Sequence, residues 1–308
     1  MTNLRSVVRA SLLLAFGFVL PACYDNRNNN SYNGPLAFYV DPVFGSNAFG
    51  NGSPGYPLQT IGFALQFAIP GDSIILATGT YSASSGEVFP ILLKPGVAVV
   101  GDPSTKGSTT AIVGAGNYTI QGGTHMGTVI TAGVVLGSGT SLSGVKITAS
   151  GATGVGVVFD GNSGSLGSST LTGCGASGLE IFQSASPSIS SCLITLSGGA
   201  GVVTFDNSAP ILRQNTITSN TTDGILAQDT SVPNLGDVAT PGGNTIQTNT
   251  VEGLANNTTA SSIPAAGNTW NASVQGADSS GNYATGAANP ALTGTNYSIT
   301  NGAASIQF

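Results

Sequence analysis

Charge is what this chain has least of. Of 308 residues, 7 are Lys or Arg and 13 are Asp or Glu, 6% in all, where soluble domains carry about 25%. Nucleic-acid binding needs clustered cations to displace phosphate counterions. After residue 22 only Arg27, Lys94, Lys106, Lys146 and Arg213 are basic, and they are scattered, which excludes a DNA or RNA partner. Long apolar runs are also missing. Ser11–Leu20 is the one unbroken stretch, about half of what a spanning helix requires, so no transmembrane helix is expected. Three cysteines make no paired framework. The single histidine, His125 in Gly122-Gly-Thr-His-Met-Gly127, has no Cys or carboxylate in its local sequence, which argues against a catalytic triad, a metal site or a cofactor. Disorder is disfavoured too, since 40% of the chain is hydrophobic and Val and Ile recur throughout. In place of charge there are 45 Gly, with abundant Ser, Thr and Asn. These are turn and small-strand residues, and they predict an all-β chain with many tight corners.

The N-terminus reads as an address. Arg5 and Arg9 precede the apolar run, and Leu20-Pro-Ala-Cys23 follows it, the order of a secretory signal. Leu20 to Cys23 resembles the lipobox of bacterial lipoproteins, which implies cleavage after residue 22 and lipid attachment at Cys23. Two or more acyl chains hold a protein stably on a membrane surface. The expected location is therefore outside the cytoplasm, lipid-anchored, at the outer membrane or cell surface. Residues 23–35, rich in Asn and without apolar periodicity, read as a flexible tether.

From about residue 140 the chain repeats itself. Gly156, Gly178, Gly201, Gly224 and Gly253 each open a short apolar segment, at intervals of 22, 23, 23 and 29. A second column, Ile147, Leu171, Ile194, Ile217 and Ile246, has intervals of 24, 23, 23 and 29. Both stretch at one place, so an insertion lies between Asn234 and Gly243. Units this short cannot bury their apolar faces alone and must stack. The expected architecture is a right-handed parallel β-helix, with Val157, Phe159, Leu179, Ile181, Val202, Thr204, Ile225 and Ala227 pointing inward. Scarce charge suits it, because equivalent positions touch from rung to rung and a charged column would repel itself. At the entrance, Ile61, Ala64, Leu65 and Ala68 lie at helical spacing behind Thr60 as N-cap, with Pro70-Gly71 as stop. They predict a short capping helix. The expected organisation is a signal over 1–22, the tether over 23–35, a cap with first rungs over 36–115, repeats of about 23 residues over 116–262, and a C-terminal cap over 263–308.

The strings Tyr39-Val-Asp-Pro42, Pro57-Leu-Gln-Thr-Ile61, Gly71-Asp72, Gly79-Thr-Tyr81, Gly86-Glu-Val-Phe-Pro-Ile91 and Gly101-Asp102 resemble an uncharacterised bacterial domain that opens pectin-lyase-like β-helices. The resemblance covers about residues 38 to 110 and implies fold and surface location but no reaction.

Candidate chemistry comes from the corners. Counting five residues on from the repeat glycines gives Gln183, Asp206 and Asp229, which should form one column on neighbouring rungs. Two stacked carboxylates perturb each other, the arrangement used by an acid/base pair or a cation site, while Asp at a turn also serves backbone hydrogen bonding. Glu180 should face outward on the preceding strand. Asp206, Asp229 and Glu180 are thus the catalytic candidates if the protein is a polysaccharide lyase or glycoside hydrolase. The favoured reading is a binding or structural module for carbohydrate or another envelope component. A remote third is an ice-binding surface, from Thr170-Leu-Thr172 and Thr216-Ile-Thr218 with Thr148 and Thr195 in line. Cys174 and Cys192 fall at different column positions, too far apart for a disulfide, and Asn215 with Asn244 should form an Asn ladder at a bend.

Overall fold

The computed structural model describes residues 36–258 and 263–270, together with the backbone strands Ser298–Asn301 and Ala304–Gln307. The signal, Cys23 and the tether lie outside the described residues, as does most of the expected C-terminal cap. The chain winds as a right-handed parallel β-helix with three sheets of 7, 8 and 8 strands, every rung-to-rung pairing parallel. One turn reads Ser165–Gly167 on the first face, Thr170–Thr172 on the second and Leu179–Phe182 on the third, and the next turn repeats it with Ser188–Ser190, Leu193–Thr195 and Val202–Thr204. No helix among the described residues is long and apolar enough to cross a membrane.

Register follows the repeat. Ile147, Leu171, Ile194, Ile217 and Ile246 pair in succession on the second face. On the third, Val157 pairs with Leu179, Leu179 with Val202, Val202 with Ile225 and Ile225 with Leu254. All are buried in one continuous core. Thr204 also points inward, where its hydroxyl meets that of Ser231 at 2.8 Å. The insertion falls as expected: Ile211 still pairs 23 residues on with Asn234, whereas Thr216 pairs 29 residues on with Thr245.

Corners are made by left-handed residues whose neighbours bond between rungs. Ser168, Ser191 and Gln214 have φ of 43°, 56° and 57°. Beyond them the Asn ladder forms: Cys192 N donates to Asn215 Oδ1 at 3.0 Å, Asn215 N to Asn244 Oδ1 at 2.9 Å and Asn244 N to Asn268 Oδ1 at 2.9 Å. A second ladder, Ser197 N to Asn220 Oδ1 and Asn220 N to Asn249 Oδ1, both at 3.1 Å, serves the next bend. Side-chain amides here supply acceptors that a turning backbone leaves unmet. Cys174 and Cys192 are separate, buried free thiols, and burial pushes the Cys192 thiol up to about 11.

The entrance helix spans Ile61–Phe67, with the Thr60 hydroxyl accepting from Phe63 N and with Ile61, Ala64 and Leu65 buried. Its first amides need acceptors, and Glu87 reaches across to take those of Ile61 and Gly62. Tyr81 is buried, donating to the carbonyls of Val40 at 2.8 Å and Ala77 at 3.0 Å. The Gly-Glu and Gly-Thr-Tyr strings are therefore parts of the cap.

Candidate functional site

Inside the span read as uniform repeats, Gly116–Thr119 is not a rung. It pairs antiparallel with the start of Val129–Leu136, Tyr118 opposite Ile130. The resulting hairpin lies across the outer side of the third face and buries a second apolar cluster there. Ile120, Val135, Val155, Val158 and Phe182 form it, with Tyr118 and Phe205 at its margin. Phe182 and Phe205 stack with centroids 4.6 Å apart, and the His125 ring at the hairpin tip stands 4.7 Å from Phe205 and 5.6 Å from Phe182.

Beside these rings runs the corner column that the glycine count places at Gln183, Asp206 and Asp229. All three have left-handed backbone, φ 61°, 53° and 58°. Each carboxylate accepts from the amide of the preceding rung: Gln183 N donates to Asp206 Oδ2 at 2.8 Å, and Asp206 N to Asp229 Oδ2 at 2.9 Å. Asp206 Oδ1 accepts the Thr124 amide at 2.9 Å and also the Thr124 hydroxyl. Gly123, at φ +72°, makes that approach: a Cβ there would lie 2.3 Å from Asp206 Oδ2. His125 Nε2 stands 3.1 Å from Asp229 Oδ2, with the two side chains 30% and 39% exposed. Further back along the column, Asp160 accepts from Tyr118 OH at 2.9 Å, from Gln121 N at 2.7 Å and from the Gln183 side chain.

Electrostatics separates the acids. Burial pushes Asp206 upward, but the Thr124 hydroxyl and amide, the Gln183 amide and nearby His125 together hold its carboxyl below the usual range. Glu180 goes the other way. It points off the core as the alternation requires, yet the hairpin leaves it buried, and desolvation raises its pKa despite the Ser177 hydroxyl at 2.9 Å and His125.

Asp206 and Asp229 are thus brought together, Glu180 sits on the same face beneath the hairpin, and Cys23 lies outside the described residues. The expectation that nothing supplies carboxylates to His125 is corrected: the fold does so from two rungs 81 and 104 residues downstream, and one donor atom from each of His125, Asp206 and Asp229 lies within 4.8 Å of the others. Tyr118 and Thr124 are part of the site as well, and sequence reasoning passed over them. Their signal was the glycine-rich tip Gly122-Gly-Thr-His-Met-Gly127, which interrupts the strand pattern just before the periodic region begins.

Comparison with known proteins adds the following. A family model described as a protein of unknown function (DUF1565) matches residues 43–275. No curated protein sequence matches. Among solved structures, the native GH136 lacto-N-biosidase from Eubacterium ramulus is similar at 11% identity and a TM-score of 0.36, over 80% of this chain and 63% of that one. This chain therefore spans less than two thirds of that protein's length. The pectate lyase Pel9A is similar at 14% identity and a TM-score of 0.35, over 82% of this chain and 84% of the other.

Proposed function

The chain belongs to the DUF1565 family, membership of which brings no reaction with it, and from that premise we propose an exported, lipid-anchored β-helix that binds carbohydrate or another envelope component without turning it over. The observation carrying this reading is how the acidic corner is used. Asp206 is 5% exposed and accepts three hydrogen bonds from Thr124 and Gln183. A general acid or base must reach the proton it moves, and this carboxylate is occupied in fastening the hairpin to the coil. Glu180 is buried with Ser177.

What the molecule offers outward is repetition. On the second face Thr172, Thr195 and Thr218 are paired in register, with Thr148 one rung earlier, and Thr216 pairs with Thr245 alongside. Hydroxyls repeating at about the rung spacing of 4.8 Å suit a long, hydroxyl-rich polymer. Leu193, between Thr170 and Thr216, and Gln247, beyond Thr218, break the flat lattice that an ice-binding surface would need. Lipid anchoring at Cys23 rests on the signal-like N-terminus.

The alternative, a lyase or hydrolase acting through Asp206 and Asp229, makes a different prediction. The full chain is applied to a glycan array, and retained glycans are assayed for new reducing ends and unsaturated products. Retention without product is expected. Product that disappears in Asp229→Asn overturns the binding reading in favour of catalysis.

A further inference from the structure

We propose that His125, Asp206 and Asp229 form a three-ligand site for a first-row divalent cation of the zinc type, clasping the hairpin tip to the corner column. The inference stands apart from any glycan binding.

Geometry comes first. The three donor atoms lie within 4.8 Å of one another, and His125 Nε2 is already 3.1 Å from Asp229 Oδ2. Ligands at ordinary Zn–N and Zn–O lengths of about 2.1 Å around a tetrahedral ion are about 3.4 Å apart. Closing a gap of 4.8 Å to that length requires about 1.4 Å of movement. His125 can supply it, because it is half-exposed at the tip of the hairpin, and Asp229 is exposed beside it. Asp206 need not move: its carboxylate is held by Thr124 and by the Gln183 amide, the outer-shell support that fixes a ligand's orientation.

Donor chemistry selects the ion. One imidazole nitrogen with two carboxylate oxygens matches zinc and its first-row neighbours, whereas Ca²⁺ and Mg²⁺ call for six or more oxygens. Three protein ligands leave one position for water or a ligand oxygen. Charge points the same way. Asp160, Glu180, Asp206 and Asp229 gather under one hairpin in a chain with 13 acidic residues in all, and the hydrogen bonds described for Asp160 and Asp206 come from neutral amides and hydroxyls. A dication between Asp206 and Asp229 offsets that accumulation. On the remaining side the stacked Phe182 and Phe205 wall the tip off from the coil and flank the imidazole.

The test uses the full chain stripped with a chelator. Calorimetric titration with Zn²⁺ is expected to give one ion per chain, and Co²⁺ to give the intense visible absorption of a tetrahedral site. Losing a ligand should cost more than the 10 to 100-fold typical of an outer-shell change, so His125→Ala and Asp229→Asn should each weaken binding by at least about 100-fold. Both positions are half-exposed or exposed, so the variants keep the fold, and the rise in Tm that Zn²⁺ produces in the parent chain should vanish in each. Absence of binding in the parent chain, binding that persists in both variants, or displacement of Zn²⁺ by an equal concentration of Ca²⁺ overturns the proposal.

Discussion

Glu180 and Asp206 lie under the same hairpin, and their surroundings drive them in opposite directions. Glu180 is raised by burial. Its native form therefore holds a proton more firmly than the unfolded chain, so its contribution is fully present below the ordinary value near 4.3 and is lost as pH rises through the raised native value. Glu180→Gln keeps the acceptor for Ser177 and removes the buried charge. It should raise Tm at pH 8 and leave it unchanged at pH 4, and an offset constant across that range would contradict the assignment. Asp206 carries the opposite sign. Though burial opposes it, the bonds from Thr124 and Gln183 depress its pKa, so its stabilisation is present above about 3.9 and is lost as pH falls through the lowered native value. Asp206→Asn should lower Tm at pH 7, with the deficit shrinking in melts below pH 4. The column holding Asp206 and Asp229 was legible by counting from the repeat glycines, because corners recur with the same period as strands. The place of His125 was not, since it stands outside the period and meets residues from two distant rungs. Nor was the burial of Glu180, for alternation says which way a side chain points and not what lies over it.

Among the elements, the ladders carry the corners. Asn215 donates to Ile189 O at 2.9 Å and to Asn244 Oδ1 at 3.0 Å while accepting from Cys192 N. Asn215→Ala strands these buried partners and should cost about 3 kcal/mol. Gln247→Ala, on an exposed side chain of a neighbouring strand, should stay within about 0.5 kcal/mol. Denaturant melts of the two variants measure the difference, and equal losses would contradict a special role for the ladder. Strand register, the insertion after Asn234 and the helix were all readable, since each follows from local spacing or from a two-column count. The hairpin was not. Gly116–Thr119 has the composition of one more rung strand, and only its antiparallel pairing with the start of Val129–Leu136, itself a parallel-paired strand of the third face, sets it apart. Glu87 lay between: its string marked a cap, but its grip on the helix amides 25 and 26 residues upstream depends on the fold.

For the whole molecule, scarce charge is a property of the stack, and four of the 13 acids, Asp160, Glu180, Asp206 and Asp229, gather at the hairpin. If Cys23 is the lipid attachment point, a tether of residues 23–35 reaches at most about 45 Å from the membrane to the first strand. Cys23→Ala should then move the protein from the membrane fraction to the soluble fraction, and continued membrane association would contradict that anchor. The hairpin also imposes an order of events. It emerges from the ribosome before any of the rungs it will hold: Tyr118 waits for a partner 42 residues on, Thr124 for one 82 residues on and His125 for one 104 residues on. Neighbouring rungs can form one upon another as they appear, whereas these closures must wait for long loops of chain. The hairpin therefore docks in stages and makes its last contact only when the rung bearing Asp229 is in place, so that its closure comes late in the winding of the coil, with the strands from Thr245 onward still to be added.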